Sequence, residues 1–306
     1  SRFLLALPGV PRELRGMWAQ EVEPNLRERY AGDARLYRRE LVCFGMPESE
    51  VNRTVAGLLV ESDGLEASIL TQDSIVLLRW QTMKTGLRET IDSAANAAAE
   101  RLGSIVFEHL TIDGESTPRM AASTAKLGES GASATPPDRL AANVVGALKA
   151  AGKRVSFAES CTGGLAASLL TQVAGASDVF DAGFVTYSNT MKTRLLDVPA
   201  ELIREHGAVS SQVVEAMAKG ALKVSGTDVA VSISGIAGPG GGSASKPVGT
   251  VWLGVADGTG ARSYHYVFNG DRLLVQQRAA RTALNLVRLW LLQGKLPDAP
   301  GVAPAP

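Results

Sequence analysis

Short apolar runs alternate along this chain with longer stretches whose apolar residues suit one face of a helix, which predicts an α/β protein. In residues 35–111, strand-like runs fall at 36–44, 67–70 and 74–80, and helical stretches at 48–59 and 91–102. These elements predict a small α+β module. Residues 138–294 carry a larger set. Helices are expected at 140–151, 165–173, 200–205, 211–225 and 271–292, and strands at 154–158, 183–187, 228–234, 250–257 and 263–268. That order predicts a layered α/β/α domain.

The pattern fades in three places. Residues 112–137 are rich in Ser, Thr, Ala, Gly and Pro, and read as a flexible linker across which few contacts should pass. Residues 295–306 are rich in Pro and Ala, and disorder is expected there. Residues 1–9 read as an apolar strand running into a Pro-Gly turn, followed by an amphipathic helix to about residue 30. The chain has no initiator Met, so this opening reads as entry into the middle of a domain of a longer protein. It lacks the charged region and cleavage site of a signal peptide, and the cytoplasm is the default location.

Composition adds exclusions. With 306 residues, 45% of them hydrophobic and 20% charged, the chain can bury sizeable cores. Lys plus Arg and Asp plus Glu each number 31. The first 110 residues are slightly acidic, which argues against nucleic acid as the main partner. Cys43 and Cys161 lie far apart, and His109, His206 and His265 are scattered. No disulfide framework or metal-ligand spacing follows, and no cofactor is called for. No run is long and apolar enough to span a membrane.

The chemistry concentrates at 158–164, Ala-Glu-Ser-Cys-Thr-Gly-Gly, between an expected strand and an expected helix. A hydroxyl there can be a nucleophile with backbone amides nearby, or Ser160 and Thr162 can simply cap the helix. Cys161 is an alternative nucleophile or a buried inert thiol. Three more small-residue clusters follow strands: Tyr187-Ser188-Asn189 with Lys192 one turn on, residues 234–242, and Asn269-Gly270-Asp271-Arg272. Loops at strand ends of layered α/β domains converge on one crevice. The run 238–246 lacks the residue order of a phosphate-binding P-loop. Asp271 can cap the last helix, and Asn189 can be a turn residue.

Together these pieces resemble the carboxy-terminal domain of the CinA family of competence/damage-inducible proteins, the nicotinamide mononucleotide deamidases. The matching segments are AESCTGG at 158–164, GASDVF at 175–180, YSNTMK at 187–192, GAVSSQVVEAMAKGA at 207–221, SGIAGPGGG at 234–242 and KPVGTVW at 246–252. Upstream, LPGVPREL resembles the end of that family's molybdopterin-binding-like domain, making 1–34 its remnant, and 35–111 resembles its KH-like domain. Ser234 stands where the family has Thr, and Ser243-Ala244-Ser245 where it is more acidic.

The resemblance implies hydrolysis of the carboxamide of nicotinamide mononucleotide (NMN), carried by 138–294. In that reading Ser160 attacks the amide carbon, Lys192 accepts its proton, and Tyr187 relays the proton or orients Lys192. Backbone amides of Cys161, Thr162, Gly163 and Gly164 would hold the oxyanion. Glu159, Asn189, Ser234, Gly235, Ile236, Ala237 and Gly238 would line the substrate, and Arg272 or Lys246 would meet its phosphate. A homodimer is the expected assembly. Two other readings are a nucleotide- or nucleic-acid-binding module, and an ADP-ribose pyrophosphatase housed in the missing domain. Only Gly45-Met46-Pro47-Glu48 approaches the KH loop, and its Glu has the wrong charge.

Overall fold

The structure is a computed structural model that describes residues 16–25, 35–72, 74–114 and 138–298. The expected strand and turn at 1–9, most of the expected linker and the last residues of the expected tail lie outside them. Residues 16–25 are helical, with a π-helical turn at Trp18–Val22.

The first module is an antiparallel sheet with strand order β2-β3-β1-β4. Its strands are β1 (Tyr37–Phe44), β2 (Leu65–Gln72), β3 (Ile75–Thr82) and β4 (Val106–Asp113). Helices α1 (Glu48–Thr54) and α2 (Arg88–Leu102) belong to the same module. Successive side chains of a strand point to opposite faces. In β1, Leu41 and Cys43 accordingly join Val51, Trp80, Ile91 and Ala95 in one core, while Val42 and Phe44 join a different one. The helix expected at 48–59 stops at Thr54, because Val55 leaves helical geometry. β4 is missing from the sequence-based set and runs two residues into the expected linker. There Asp113 pairs with Arg88 at 2.6 Å.

The second unit has strand order β6-β5-β7-β8-β9. These are β5 (Val155–Glu159), β6 (Phe180–Val185), β7 (Val229–Gly235), β8 (Thr250–Asp257) and β9 (Gly260–Val267). β5 pairs in parallel with β6 and β7, whereas β8 is antiparallel to both β7 and β9. β9 therefore points the same way as β5, β6 and β7, and the chain leaves all four at one edge of the sheet. Helices α3 (Arg139–Ala151), α4 (Leu165–Thr171) and α8 (Arg272–Gln293) pack on one face. Helices α5 (Asn189–Leu196), α6 (Ala200–His206) and α7 (Ser211–Ser225) pack on the other. This is the three-layer α/β/α domain the pattern predicts. α5 is absent from the sequence-based set for a physical reason: only Lys192 and Leu196 are buried in it, too few to mark a stripe.

Contacts do cross between the two units, contrary to the sequence expectation. Val42, Phe44 and Phe107 share one apolar cluster with Leu140, Val144, Leu284 and Val287. Asn143 donates to the Phe107 carbonyl at 2.8 Å, and Arg139 pairs with Glu108 at 2.9 Å. Within the second unit, Asp138 caps α3 through the Ala141 amide and pairs with the buried Arg281 at 2.7 Å, joining α3 to α8.

Candidate active site

The edge where four strands end is built first by β5. Ser160 extends the strand ladder by one residue, its amide donating to the Ile233 carbonyl at 2.9 Å. A tight turn follows, closed by the Gly163 amide on the Ser160 carbonyl at 3.1 Å. Gly163 and Gly164 both have positive φ, 64° and 99°, which side chains with a Cβ rarely adopt.

Glu159 reaches forward over this turn. Its carboxylate accepts from the amides of Gly164, Ala166 and Ala167 at 3.0, 3.1 and 2.9 Å. The side chain is buried and supplies the first turn of α4 with the acceptors that a helix start lacks. Glu159 thus holds the turn, in place of the substrate contact expected of it. The oxyanion set narrows as well, since the Gly163 and Gly164 amides are occupied. The Cys161 and Thr162 amides donate to no backbone carbonyl among the described residues. The Cys161 carbonyl accepts from Gln276 Nε2 at 2.7 Å.

Lys192 arrives from α5, which begins where Ser188 accepts from the Met191 amide at 3.2 Å. Its Nζ lies 3.0 Å from Ser160 Oγ and 2.8 Å from the Thr186 carbonyl. The Tyr187 carbonyl is 3.5 Å away. Lys192 is 1% exposed, and among the described residues its amine contacts no carboxylate. Burial pulls its pKa below the usual lysine value. Cys161 is buried beside the pair, and desolvation pushes its thiol up to about 12. A thiol at that value holds almost no thiolate near neutrality, which leaves Ser160 as the nucleophile candidate.

The remaining expected residues divide. Tyr187 is exposed, and its hydroxyl accepts from Arg272 Nη2 at 3.0 Å, so only its carbonyl faces Lys192. Arg272 Nη1 donates to the Gly238 carbonyl at 2.8 Å, joining three of the four clusters at the rim. Ser234 is buried and donates to the Ala208 carbonyl at 2.8 Å, a structural tie. The Ile236 amide and carbonyl bond Thr250 and Gly249, and Ala237 is buried. At Gly235 a Cβ would come within 2.8 Å of the Thr250 carbonyl, so this glycine serves close strand packing. Asn189 lines a groove of about 460 Å³ that neither Ser160 nor Lys192 lines. Lys246 donates to the His206 and Val209 carbonyls at 3.1 and 2.7 Å, fastening its loop to the stretch before α7.

Thr186 and Gln276 escape the sequence reading. Thr186 directly precedes the Tyr187 cluster, and Gln276 lies one helical turn beyond Arg272 on α8. The hydroxyls of Thr162 and Thr186 are buried with no hydrogen-bond partner among the described residues. Among the described residues no three His, Cys, Asp or Glu side chains group as a metal site would need. No helix among them is long and apolar enough to cross a membrane.

Fold and site define an α/β/α protein with a buried Ser–Lys pair where its parallel strands end. Comparison with known sequences then narrows the class. The family profile described as CinA C-terminal domain matches residues 137–291. A CinA-like protein from Geotalea uraniireducens is 37% identical over 295 residues, covering 95% of this chain and 64% of that protein. Another, from Geobacter sulfurreducens, is 36% identical over 293 residues, covering 95% and 65%. Among solved structures, competence/damage inducible protein CihA from Agrobacterium tumefaciens is 44% identical, covers 49% of this chain and 92% of its own, and has a TM-score of 0.47. The chain belongs to the CinA family. It spans just under two thirds of the length of the curated relatives it matches.

Proposed function

We propose that this chain hydrolyses the carboxamide of nicotinamide mononucleotide, releasing ammonia and leaving nicotinate mononucleotide. The observation that carries the reading is the buried Lys192 Nζ at 3.0 Å from Ser160 Oγ, with no carboxylate among its contacts. A lysine held that way deprotonates more readily than one in water. The substrate class is the one that the resemblance to the CinA family implies. The exposed Arg272 at the rim suits the substrate phosphate.

The steps balance without an added cofactor. Ser160 Oγ attacks the carboxamide carbon and passes its proton to Lys192 Nζ. The oxyanion meets the Cys161 and Thr162 amides. Collapse breaks the C–N bond, and the ammonium of Lys192 protonates the departing amide nitrogen, which leaves as ammonia. Water, deprotonated by Lys192, then attacks the Ser160 ester; the ester C–O bond breaks, Lys192 returns the proton to Ser160 Oγ, and the acid leaves, ionising to the carboxylate. Tyr187 contributes its carbonyl to the orientation of Lys192 and its hydroxyl to Arg272. In this reading the protein works as a homodimer, which sedimentation would check.

The test is ammonia release from NMN by the purified chain, with nicotinamide and NAD as comparators and EDTA present. Stoichiometric ammonia and nicotinate mononucleotide from NMN is the expected result. A folded protein that releases none overturns the reading.

A further inference from the structure

We infer that Gln276 is a positioning residue of this site, one that aims the Thr162 amide at the oxyanion. The inference rests on the proposed Ser160 chemistry. It starts from the turn after β5. With the Gly163 amide bonded to the Ser160 carbonyl, the peptide between Cys161 and Thr162 is the central peptide of that turn. Rotating a central peptide by half a revolution converts one turn type into another and reverses its N–H and C=O. Which way this peptide faces therefore decides whether the site has the Thr162 donor.

Gln276 holds the peptide in the facing it has. Its Nε2 donates to the Cys161 carbonyl at 2.7 Å from across 115 positions of sequence. The Cys161–Thr162 peptide is trans, the described cis bond being Gly238-Pro239. In a trans peptide the C=O and the N–H point in opposite directions. A carbonyl drawn toward α8 therefore turns the Thr162 N–H away from α8. α5, which brings Lys192 to Ser160, packs on the sheet face opposite α8. The N–H is thus turned to the side from which the nucleophile is engaged. Of the donors around it, the Gly163 and Gly164 amides are held by Ser160 and Glu159, which leaves the Cys161 amide alone beside that of Thr162.

Thr162 stands at the third turn position, where the reversed turn needs a positive φ that a β-branched residue resists, so Gln276 acts together with Thr162 in holding this facing. Among the described residues the Thr162 hydroxyl has no partner. Gln276 hydrogen-bonds the Cys161 carbonyl and neither Lys192 nor Ser160 Oγ, so its effect should reach the oxyanion alone. Loss of the anchor should lower the rate of acyl transfer while leaving the Lys192 ionisation where it was.

The experiment compares three full-length proteins: wild type, Gln276→Met, which keeps the side-chain length without a donor, and Gln276→Arg, which keeps N–H donors. Two readouts are taken. One is ammonia release from NMN across pH. The other is the labelling rate of Ser160 by a fluorophosphonate, whose phosphoryl oxygen occupies the same hole whatever the natural substrate is. Gln276→Met should lose roughly 10- to 100-fold in kcat and in labelling rate, less than outright deletion of an oxyanion donor. Its KM should stay within about threefold and its pH midpoint should not move, because substrate binding and the base are untouched. Gln276→Arg should recover most of both rates. Labelling that falls and recovers this way in a protein inert to NMN sinks the substrate reading and keeps the Gln276 role. A folded Gln276→Met protein that labels and turns over within about twofold of wild type overturns the inference, as does a shifted pH midpoint. Failure of Ser160 to label in the wild type overturns both readings.

Discussion

Ser160 and Lys192 divide the chemistry in a way single substitutions can separate. Ser160→Ala should cost roughly three to six orders of magnitude in turnover with the fold intact, as removal of a covalent nucleophile does elsewhere. Cys161→Ala should keep most of the activity, because the thiol sits at about 12. Lys192→Arg retains the charge but cannot give up a proton, so ammonia release should fall nearly as far as in Lys192→Ala. The rate in wild type should rise with pH through one ionisation below that of free lysine, since burial depresses this group. A rate independent of pH across that range would remove Lys192 as base. Ser160 stands out in the sequence at an expected strand–helix junction with small neighbours, whereas the roles of Ser160 and Lys192 as a pair are what the family resemblance implies. Glu159, expected at the substrate, accepts from three amides of the turn and helix that follow it. A carboxylate before a helix can look outward to a ligand or forward to amides, and residue type does not say which. Gln276 was invisible because its partner is over a hundred residues away and its own helix is long and amphipathic.

The element that delivers the lysine, α5, is eight residues long and holds its place through α7. The crossing is tight at Gly220, where a Cβ would stand 2.0 Å from the Leu196 carbonyl. Leu196 is the last residue of α5, four positions beyond Lys192. Gly220→Ala must push the two helices apart, which should cost about 1–3 kcal/mol of stability by overpacking and lower kcat by moving the amine from Ser160. Gly146→Ala on α3 is the control. Nothing lies within 4 Å of a Cβ there, so helix propensity should leave stability unchanged or raise it by up to about 1 kcal/mol. Denaturant unfolding of the two variants checks both signs. Most long elements were readable from apolar spacing, α7 and α8 almost residue for residue. β4 and α5 were not. β4 has the alternation of a strand but its end runs into the Ser/Thr/Gly-rich stretch, and α5 buries only two of eight.

At the scale of the whole molecule, the two units share apolar surface, so they should melt together. Phe107→Ala, which hollows the shared cluster from the first unit, should destabilise the chain by about 3–5 kcal/mol in a single transition. Ammonia release per folded molecule should stay near wild type, because none of the residues gathered around Ser160 lies in that unit. Two separate melting steps would show that the units fold independently, as the sequence between them had suggested.

The buried amine has a thermodynamic consequence that reaches every residue of the fold. Unfolded, Lys192 titrates near 10.5; folded, burial sets it lower. Between those two values the unfolded chain binds a proton that the native chain has released, so the stability of the native state climbs with pH across that window. Below the folded value both states carry the proton and the full cost of the buried charge persists. Above 10.5 neither does, and the cost is gone. Assembling the site is in this sense a deprotonation. Calorimetric unfolding in buffers of different ionisation enthalpy should register proton uptake in that interval. In Lys192→Met this uptake should shrink and the rise of melting temperature with pH should flatten, while equal slopes in the two proteins would mean that the amine stays protonated when folded.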